Sequence, residues 1–250
     1  MAEVLIVGMG PGPVRQLTIE AREALLEAEE IFFRFSAHPV CHWLQEEGKD
    51  CVCFDYLYAQ PGIRYENIYR TINLALVKVA KKKGRSVYAL PGNPAVFEKT
   101  TRWLKKLARD QGVEVKTIVG MSFLEPLYLE LDLDPEEGIQ VLNASAFCHY
   151  GEYPFTERLG LIIGQVGLPS SMNPGGGGTN AGDVAAALLK KYPPDHPVTL
   201  AWSTGLPDYE NKRMSFPLFE LVRLSGYVKH LATLYVPPVK PPWEGLVARG

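Results

Sequence analysis

Val4-Leu5-Ile6-Val7-Gly8-Met9-Gly10-Pro11-Gly12-Pro13, followed by Leu17-Thr18, decides the fold class. The apolar run from Val4 reads as a buried strand, and the glycines and prolines after it as a turn. Gly8, Gly10 and Gly12 carry no Cβ, so the main chain turns freely there and a ligand can approach it closely. A turn at the carboxyl end of a strand is where open α/β sheets bind ligands. The stretch is not the dinucleotide fingerprint G-x-G-x-x-G, because Pro13 stands where the last glycine belongs.

Outward from this stretch, strands and helices alternate. A helix is predicted from Leu17 to Glu29 with Thr18 as its cap, then a strand at Ile31-Phe32-Phe33. A helix follows from Pro39 to Glu46, a strand at Cys51-Val52-Cys53-Phe54, and a long helix from Tyr65 to Lys83. Ser86 to Leu90 reads as a strand, Val96 to Arg109 as a helix and Val113 to Val119 as a strand. The repeated unit predicts a parallel sheet with helices on both faces. Beyond Gly120 strands predominate: Ile139 to Leu142, Leu159 to Val166, Val198 to Trp202, Met214 to Leu218 and Thr233 to Val236, with helices over Ser122–Leu131 and Asp183–Lys191. The fold class expected is α/β in two domains: a parallel-sheet domain over residues 1–120 and a mixed α+β domain over 121–239. The proline-rich tail predicts a linker over 240–250 that leads to a missing segment, since proline lacks the donor a sheet or helix needs.

Bulk properties narrow the function. The chain has 250 residues, 46% hydrophobic and 22% charged, with net charge −2. That balance gives no general basic character for nucleic acid. Apolar stretches are about strand length, short of the ~20 residues of a membrane span, and with a strand entered by Val4 no signal peptide is expected. Four cysteines in a chain of this size suit a reducing, cytoplasmic setting. Around His38, Cys41, His42, Cys51 and Cys53 the spacing fits no usual zinc pattern, and Cys51 and Cys53 are expected on opposite faces of their strand, so no metal is expected. The glycines at 175–178 lack a following Lys-Ser/Thr and so form no P-loop; a mobile loop is expected there. Lys81-Lys82-Lys83 suits a helix carboxyl end. No Ser-His-Asp triad, H-E-x-x-H motif or catalytic carboxylate pair can be picked out.

Two further turns repeat the first. Ala89-Leu90-Pro91-Gly92-Asn93-Pro94-Ala95-Val96-Phe97 ends a strand and is expected to start a helix near Pro94, with Asn93 capping it or offering its amide to a ligand. Val119-Gly120-Met121-Ser122-Phe123 has the same strand-glycine-helix form. Three such turns at one sheet edge would form a pocket floor. Asp55, Tyr56, Tyr58, Arg64, Tyr65 and Tyr69 fit two descriptions: an acceptor pocket, with arginine holding an anion and tyrosine exchanging a proton, or a half-exposed loop of amphipathic aromatics.

Taken together, the segments Val7-Gly8-Met9-Gly10-Pro11-Gly12 with Leu17-Thr18, Pro91-Gly92-Asn93-Pro94 and Gly120-Met121-Ser122-Phe123 resemble the tetrapyrrole (corrin/porphyrin) methylase family. Arg34-Phe35-Ser36-Ala37-His38-Pro39-Val40, Phe54-Asp55 with Leu57-Tyr58, and Ser122-Phe123-Leu124 with Asp134-Pro135 are similar to its YabN-like branch, which precedes a MazG nucleoside-triphosphate pyrophosphohydrolase in bacteria. The resemblance implies S-adenosylmethionine held between two domains, commonly in a homodimer, and a small-molecule or peptide methyl acceptor. Carried over by motif, Gly10, Pro11, Gly92, Asn93, Pro94, Val96, Ser122 and Phe123 would contact the cofactor; Gln165, Val166, Thr204 and Ala232 follow from position in the fold. Asn93 stands where the family usually has aspartate. Tyr58, Arg64 and Tyr69 are the catalytic, acceptor-side candidates. The resemblance implies a methyltransferase, the methylase-like half of a MazG-type protein. Two alternatives stay open: a non-catalytic cofactor-binding module regulating a joined pyrophosphohydrolase, and a borosin-like peptide N-methyltransferase, to whose Tyr/Arg region Tyr58 and Arg64 are similar.

Overall fold

In a computed structural model that describes residues 2–59, 63–149, 154–167, 181–202, 212–224, 228 and 232–239, the opening run forms β1 (Glu3–Gly8), buried from Val4 onward. The first unit continues through α1 (Ile19–Glu27), β2 (Glu30–Phe33), α2 (Pro39–Glu46), β3 (Asp50–Cys53), a single turn α3 (Asp55–Tyr58), α4 (Tyr65–Lys83), β4 (Arg85–Leu90), α5 (Lys99–Asp110) and β5 (Glu114–Ile118), and its described part ends at Pro126. Its five strands run in the order β3-β2-β4-β1-β5, and all the pairings are parallel.

The alternation of side chains along a strand explains why β1 is apolar throughout. Val4 and Ile6 join the core that includes Ile68, Ile72 and Leu76 of α4 and Leu104 of α5. Leu5 and Val7 join the opposite core, with Ala21 and Leu25 of α1 and Val40 and Leu44 of α2. Local chemistry sets the helix ends. Thr18 accepts a bond from Ala21 N–H at 3.1 Å and so caps α1. Gly84, at φ +88°, ends α4 just after its three lysines.

Two local expectations are corrected, and one short element is new. α5 begins at Lys99 and not near Pro94, because Phe97 adopts a left-handed φ of +55° and Glu98 takes the cap, accepting Thr100 N–H at 3.0 Å. α6 (Leu124–Leu131) likewise starts after Ser122. The α3 turn was hidden in the sequence by its length: four residues show no helical period.

The second unit begins at Leu127. Its elements are β6 (Ile139–Asn143), α7 (Ala144–His149), β7 (Gly160–Gly164), α8 (Ala181–Leu188), β8 (Pro197–Ala201), β9 (Arg213–Pro217), α9 (Leu221–Leu224) and β10 (Thr233–Val236). The strands run β6-β7-β10-β8-β9; β6–β7 is parallel and the other pairings antiparallel. This is the mixed sheet expected. Ile163, Val184, Leu188, Leu200 and Leu234 are among its core. The glycine run at 175–178 and the tail at 240–250 lie outside the described residues. Among those described, no helix is long and apolar enough to cross a membrane.

Candidate functional site

β4, β1 and β5 are neighbours, so the turns that follow them leave the sheet along one edge. Main chain meets main chain there. Gly92 N–H donates to Gly10 O at 2.7 Å and Gly10 N–H to Gly92 O at 3.3 Å, an isolated antiparallel bridge. Both glycines sit at positive φ, +78° for Gly10 and +69° for Gly92, where a side chain would be strained. A Cβ on Gly8 would lie 2.5 Å from Gly120 N and 2.7 Å from Pro94 Cδ; one on Gly120 would lie 2.4 Å from Gly92 O. The three turns therefore touch through backbone, and only hydrogen fits at Gly8 and Gly120. A Cβ on Gly92, by contrast, would meet nothing within 4 Å, so that turn presents bare main chain. Residues 9–13, 91–97 and 119–123 include no Asp, Glu, Lys or Arg.

Side chains brace these turns. Thr18 Oγ1 donates to Val119 O at 3.2 Å while capping α1, which ties the first turn to the third. Asn93 Oδ1 accepts Ala95 N–H at 2.8 Å, so it shapes its own turn and leaves the cap of α5 to Glu98. Ser122 and Glu125 form a capping box: Glu125 Oε2 accepts Ser122 N–H at 2.7 Å and Ser122 Oγ–H at 2.6 Å, and Ser122 Oγ accepts Leu124 N–H at 3.0 Å. The rings of Phe97 and Phe123 lie 5.5 Å apart, linking the second turn to the third. Gly10, Gly92, Pro94, Ser122 and Phe123 thus share one sheet edge, and Pro11, Asn93 and Val96 follow on the same turns.

Histidine 38 was not among the expected site residues. It is 4% exposed. Its Nδ1 accepts Val40 N–H at 3.3 Å, which leaves the proton on Nε2 to be donated to Gly10 O at 3.2 Å. Burial lowers its pKa to about 4, against a partial rise from the Gly10 bond, so the ring is neutral at physiological pH.

The tyrosine-rich segment is rearranged relative to expectation. Arg64 is 73% exposed and pairs with Glu66 at 3.6 Å. The arginine that meets the tyrosines is Arg34, at the carboxyl end of β2. Its Nη2 lies 2.5 Å from both Glu98 Oε1 and Thr100 Oγ1, and its Cζ stands 5.3 Å from the centre of the Tyr69 ring. Burial opposes its charge, but Glu98 beside it, with smaller contributions from Tyr88, Tyr58 and Tyr69, holds its pKa above the ordinary value. Rings continue outward: Phe35 to Tyr58 at 4.7 Å, Tyr58 to Tyr65 at 5.6 Å and Tyr65 to Tyr69 at 5.8 Å. Burial pushes the Tyr58 phenol upward and Tyr69 up to about 12, although Arg34 acts the other way. Both are therefore protonated at neutral pH and are available as hydrogen-bond donors rather than as bases. The sequence did carry a signal for Arg34: a charged residue directly after the apolar run Ile31-Phe32-Phe33.

In the second unit, Val166 N–H donates to Ala232 O at 3.0 Å, bringing two expected contact residues together. Beside them Gln165 has a left-handed φ of +63° and accepts Asn143 Nδ2–H at 2.6 Å. Thr204 lies outside the described residues. The cysteine expectation is corrected. Cys51 and Cys53 are two apart on β3, so they share a face; both pack on the core of α1 and α2. The Cys41 and Cys53 sulfurs lie 3.7 Å apart. Burial first, then these neighbouring thiols, raise the pKa of Cys41. Among the described residues no group of three or more His, Cys, Asp or Glu is arranged to hold a metal.

A family model described as tetrapyrrole (corrin/porphyrin) methylases matches residues 3–217. The Bacillus subtilis protein YabN, described as uncharacterized, is 32% identical over 238 residues, covering 95% of this chain and 45% of its own. A Gymnopilus junonius methyltransferase and type I borosin cyclic peptide precursor is 24% identical over 238 residues, covering 93% of this chain and 56% of its own. The chain thus spans about half the length of the curated relatives it matches. Among solved structures, the uroporphyrin-III C-methyltransferase of Thermus thermophilus matches with a TM-score of 0.69 at 20% identity, over 99% of this chain and 95% of that one. The same Thermus enzyme complexed with S-adenosylhomocysteine matches with a TM-score of 0.65 at 19% identity, over 94% and 92%. At these identities the structural likeness is one of fold.

Proposed function

The chain belongs to the tetrapyrrole (corrin/porphyrin) methylase family, and on that premise we propose that it is an S-adenosylmethionine-dependent methyltransferase. The observation that carries the reading is the meeting of three uncharged, main-chain turns after β1, β4 and β5, so close that no Cβ fits at Gly8 or Gly120. Such a cradle suits a ligand that carries its own sulfonium charge, since no cation in the turns repels it and backbone dipoles are at hand. Gly10, Pro11, Gly92, Asn93, Pro94, Val96, Ser122 and Phe123 would hold the cofactor through backbone and small side chains. Gln165, Val166, Thr204 and Ala232 are proposed as further contacts. When bound, the cofactor supplies an activated methyl group; the chain's task is to align the acceptor and exclude water. Tyr58 and Tyr69 would orient that acceptor as hydrogen-bond donors, with Arg64 at the exposed rim.

A peptide acceptor is a second reading, supported by the borosin relatives that match 93% of this chain and by the phenol row of Tyr58, Tyr65 and Tyr69. A homodimer and a joined pyrophosphohydrolase domain extend the proposal from the family resemblance. Isothermal titration with S-adenosylhomocysteine tests cofactor binding; methyl-labelled S-adenosylmethionine offered with a metabolite pool and with peptides tests transfer. Binding without transfer to either would favour a regulatory module, and no binding would overturn the methyltransferase reading.

A further inference from the structure

The five residues Arg34-Phe35-Ser36-Ala37-His38, which join β2 to α2, supply none of the cofactor contacts proposed above. They nevertheless reach both glycine turns. At one end, His38 Nε2–H donates to Gly10 O at 3.2 Å, the same carbonyl that accepts Gly92 N–H at 2.7 Å. That oxygen is thus fixed from two sides. At the other end, Arg34 Nη2 lies 2.5 Å from Glu98 Oε1. Glu98 closes the second turn: it caps α5 and follows Phe97, whose φ is +55°. In the middle, Ser36 N–H donates to both carboxylate oxygens of Asp55, at 3.2 and 3.0 Å, which anchors the segment to α3. We propose that Arg34–His38 is a strut that sets the geometry of both turns, with Arg34 and His38 as positioning residues for the cofactor grip; this rests on the methyltransferase reading.

The energetics favour a geometric role over a stabilising one. The Arg34 and Glu98 side chains are 12% and 10% exposed, and Arg34 Nε is buried with no hydrogen-bond partner. A buried ion pair gives back in attraction little more than it loses in desolvation, and an apolar pair of like volume serves stability as well. What apolar side chains do not supply is direction. Arg34 fixes where Glu98 sits, and through it where the second turn ends. His38 does the same for the Gly10 peptide: a phenyl ring would fill its space without holding the carbonyl. The left-handed residues Gly10, Gly92 and Phe97 all lie on the turns so held, and such conformations persist where surrounding contacts over-determine them.

Amide hydrogen exchange tests the strut on the whole chain, with S-adenosylhomocysteine affinity measured by calorimetry on the same samples. His38→Phe is expected to speed exchange of Gly92 N–H, and Arg34→Met that of Val96 N–H, each about tenfold, with cofactor-product affinity weakened about tenfold. His38→Gln, which keeps a donor for Gly10 O, is expected to restore both readouts to within about threefold of wild type. Unchanged exchange at the named amide overturns the strut. So does faster exchange with unaltered affinity, or equal acceleration in the core of β2, which marks general destabilisation. If wild type binds no S-adenosylhomocysteine, the methyltransferase reading falls while exchange still judges the strut. Should an apolar variant not fold, His38→Asn and Arg34→Lys replace it with the same expectations, since each retains polarity but loses the reach or fork of the native group.

Discussion

Acid should weaken this protein through one side chain, His38. The native state holds its imidazole neutral, with a pKa of about 4, against about 6.5 in an unfolded chain. Between pH 6.5 and 4 the unfolded chain therefore takes up a proton that the native state refuses. The lowered native pKa makes the contribution fully present above pH 6.5 and lost as pH falls toward 4. A difference of about 2.5 in pKa, at about 1.4 kcal/mol each, gives roughly 3 kcal/mol. This is a large part of the ~5–15 kcal/mol by which domains are stable. Physically, a second ring proton would put an N–H on Nδ1 against the Val40 N–H that Nδ1 now accepts. Urea unfolding of wild type and His38→Gln at steps from pH 7.5 to 4 isolates the effect, because the carboxylates and the remaining histidines are common to both proteins. The free-energy gap between them is expected to shift by about 3 kcal/mol against wild type on going to the acid end. Parallel curves would refute the buried neutral ring.

Other substitutions probe the turns and the tyrosine row. Gly8→Ala and Gly120→Ala place a Cβ within 2.4–2.7 Å of backbone and are expected to cost more than about 3 kcal/mol in urea unfolding and to abolish S-adenosylhomocysteine binding. Gly48→Ala is the comparison: φ is +78° but nothing lies within 4 Å, so about 1 kcal/mol is expected, and equal losses at all three positions would argue against close contact of the turns. Tyr58 Oη is buried with no hydrogen-bond partner, so Tyr58→Phe should leave stability unchanged or raise it by up to about 1 kcal/mol, while lowering methyl transfer if that hydroxyl orients the acceptor. Arg64→Ala, at a side chain 73% exposed, should shift stability by less than about 0.5 kcal/mol and reduce turnover without altering calorimetric S-adenosylhomocysteine affinity.

The sequence by itself determined the class of fold, because burial on both faces forces a strand to be apolar at every position, as Val4 to Val7 are, and because glycine and proline punctuate the chain wherever they stand. It also determined which turns matter, since Gly8, Gly10, Gly92 and Gly120 are legible as letters. Only the tertiary structure decided what those glycines are for: Gly8 and Gly120 lie 112 positions apart in the chain, and nothing local reveals that each excludes a Cβ on account of the other. It likewise exchanged Arg64 for Arg34 beside Tyr69, moved the start of α5 past Phe97, and turned His38 from a histidine without an expected site role into a buried brace. Strand periodicity is written in neighbours, whereas partners drawn from different strands meet only when the sheet brings their carboxyl ends to one edge.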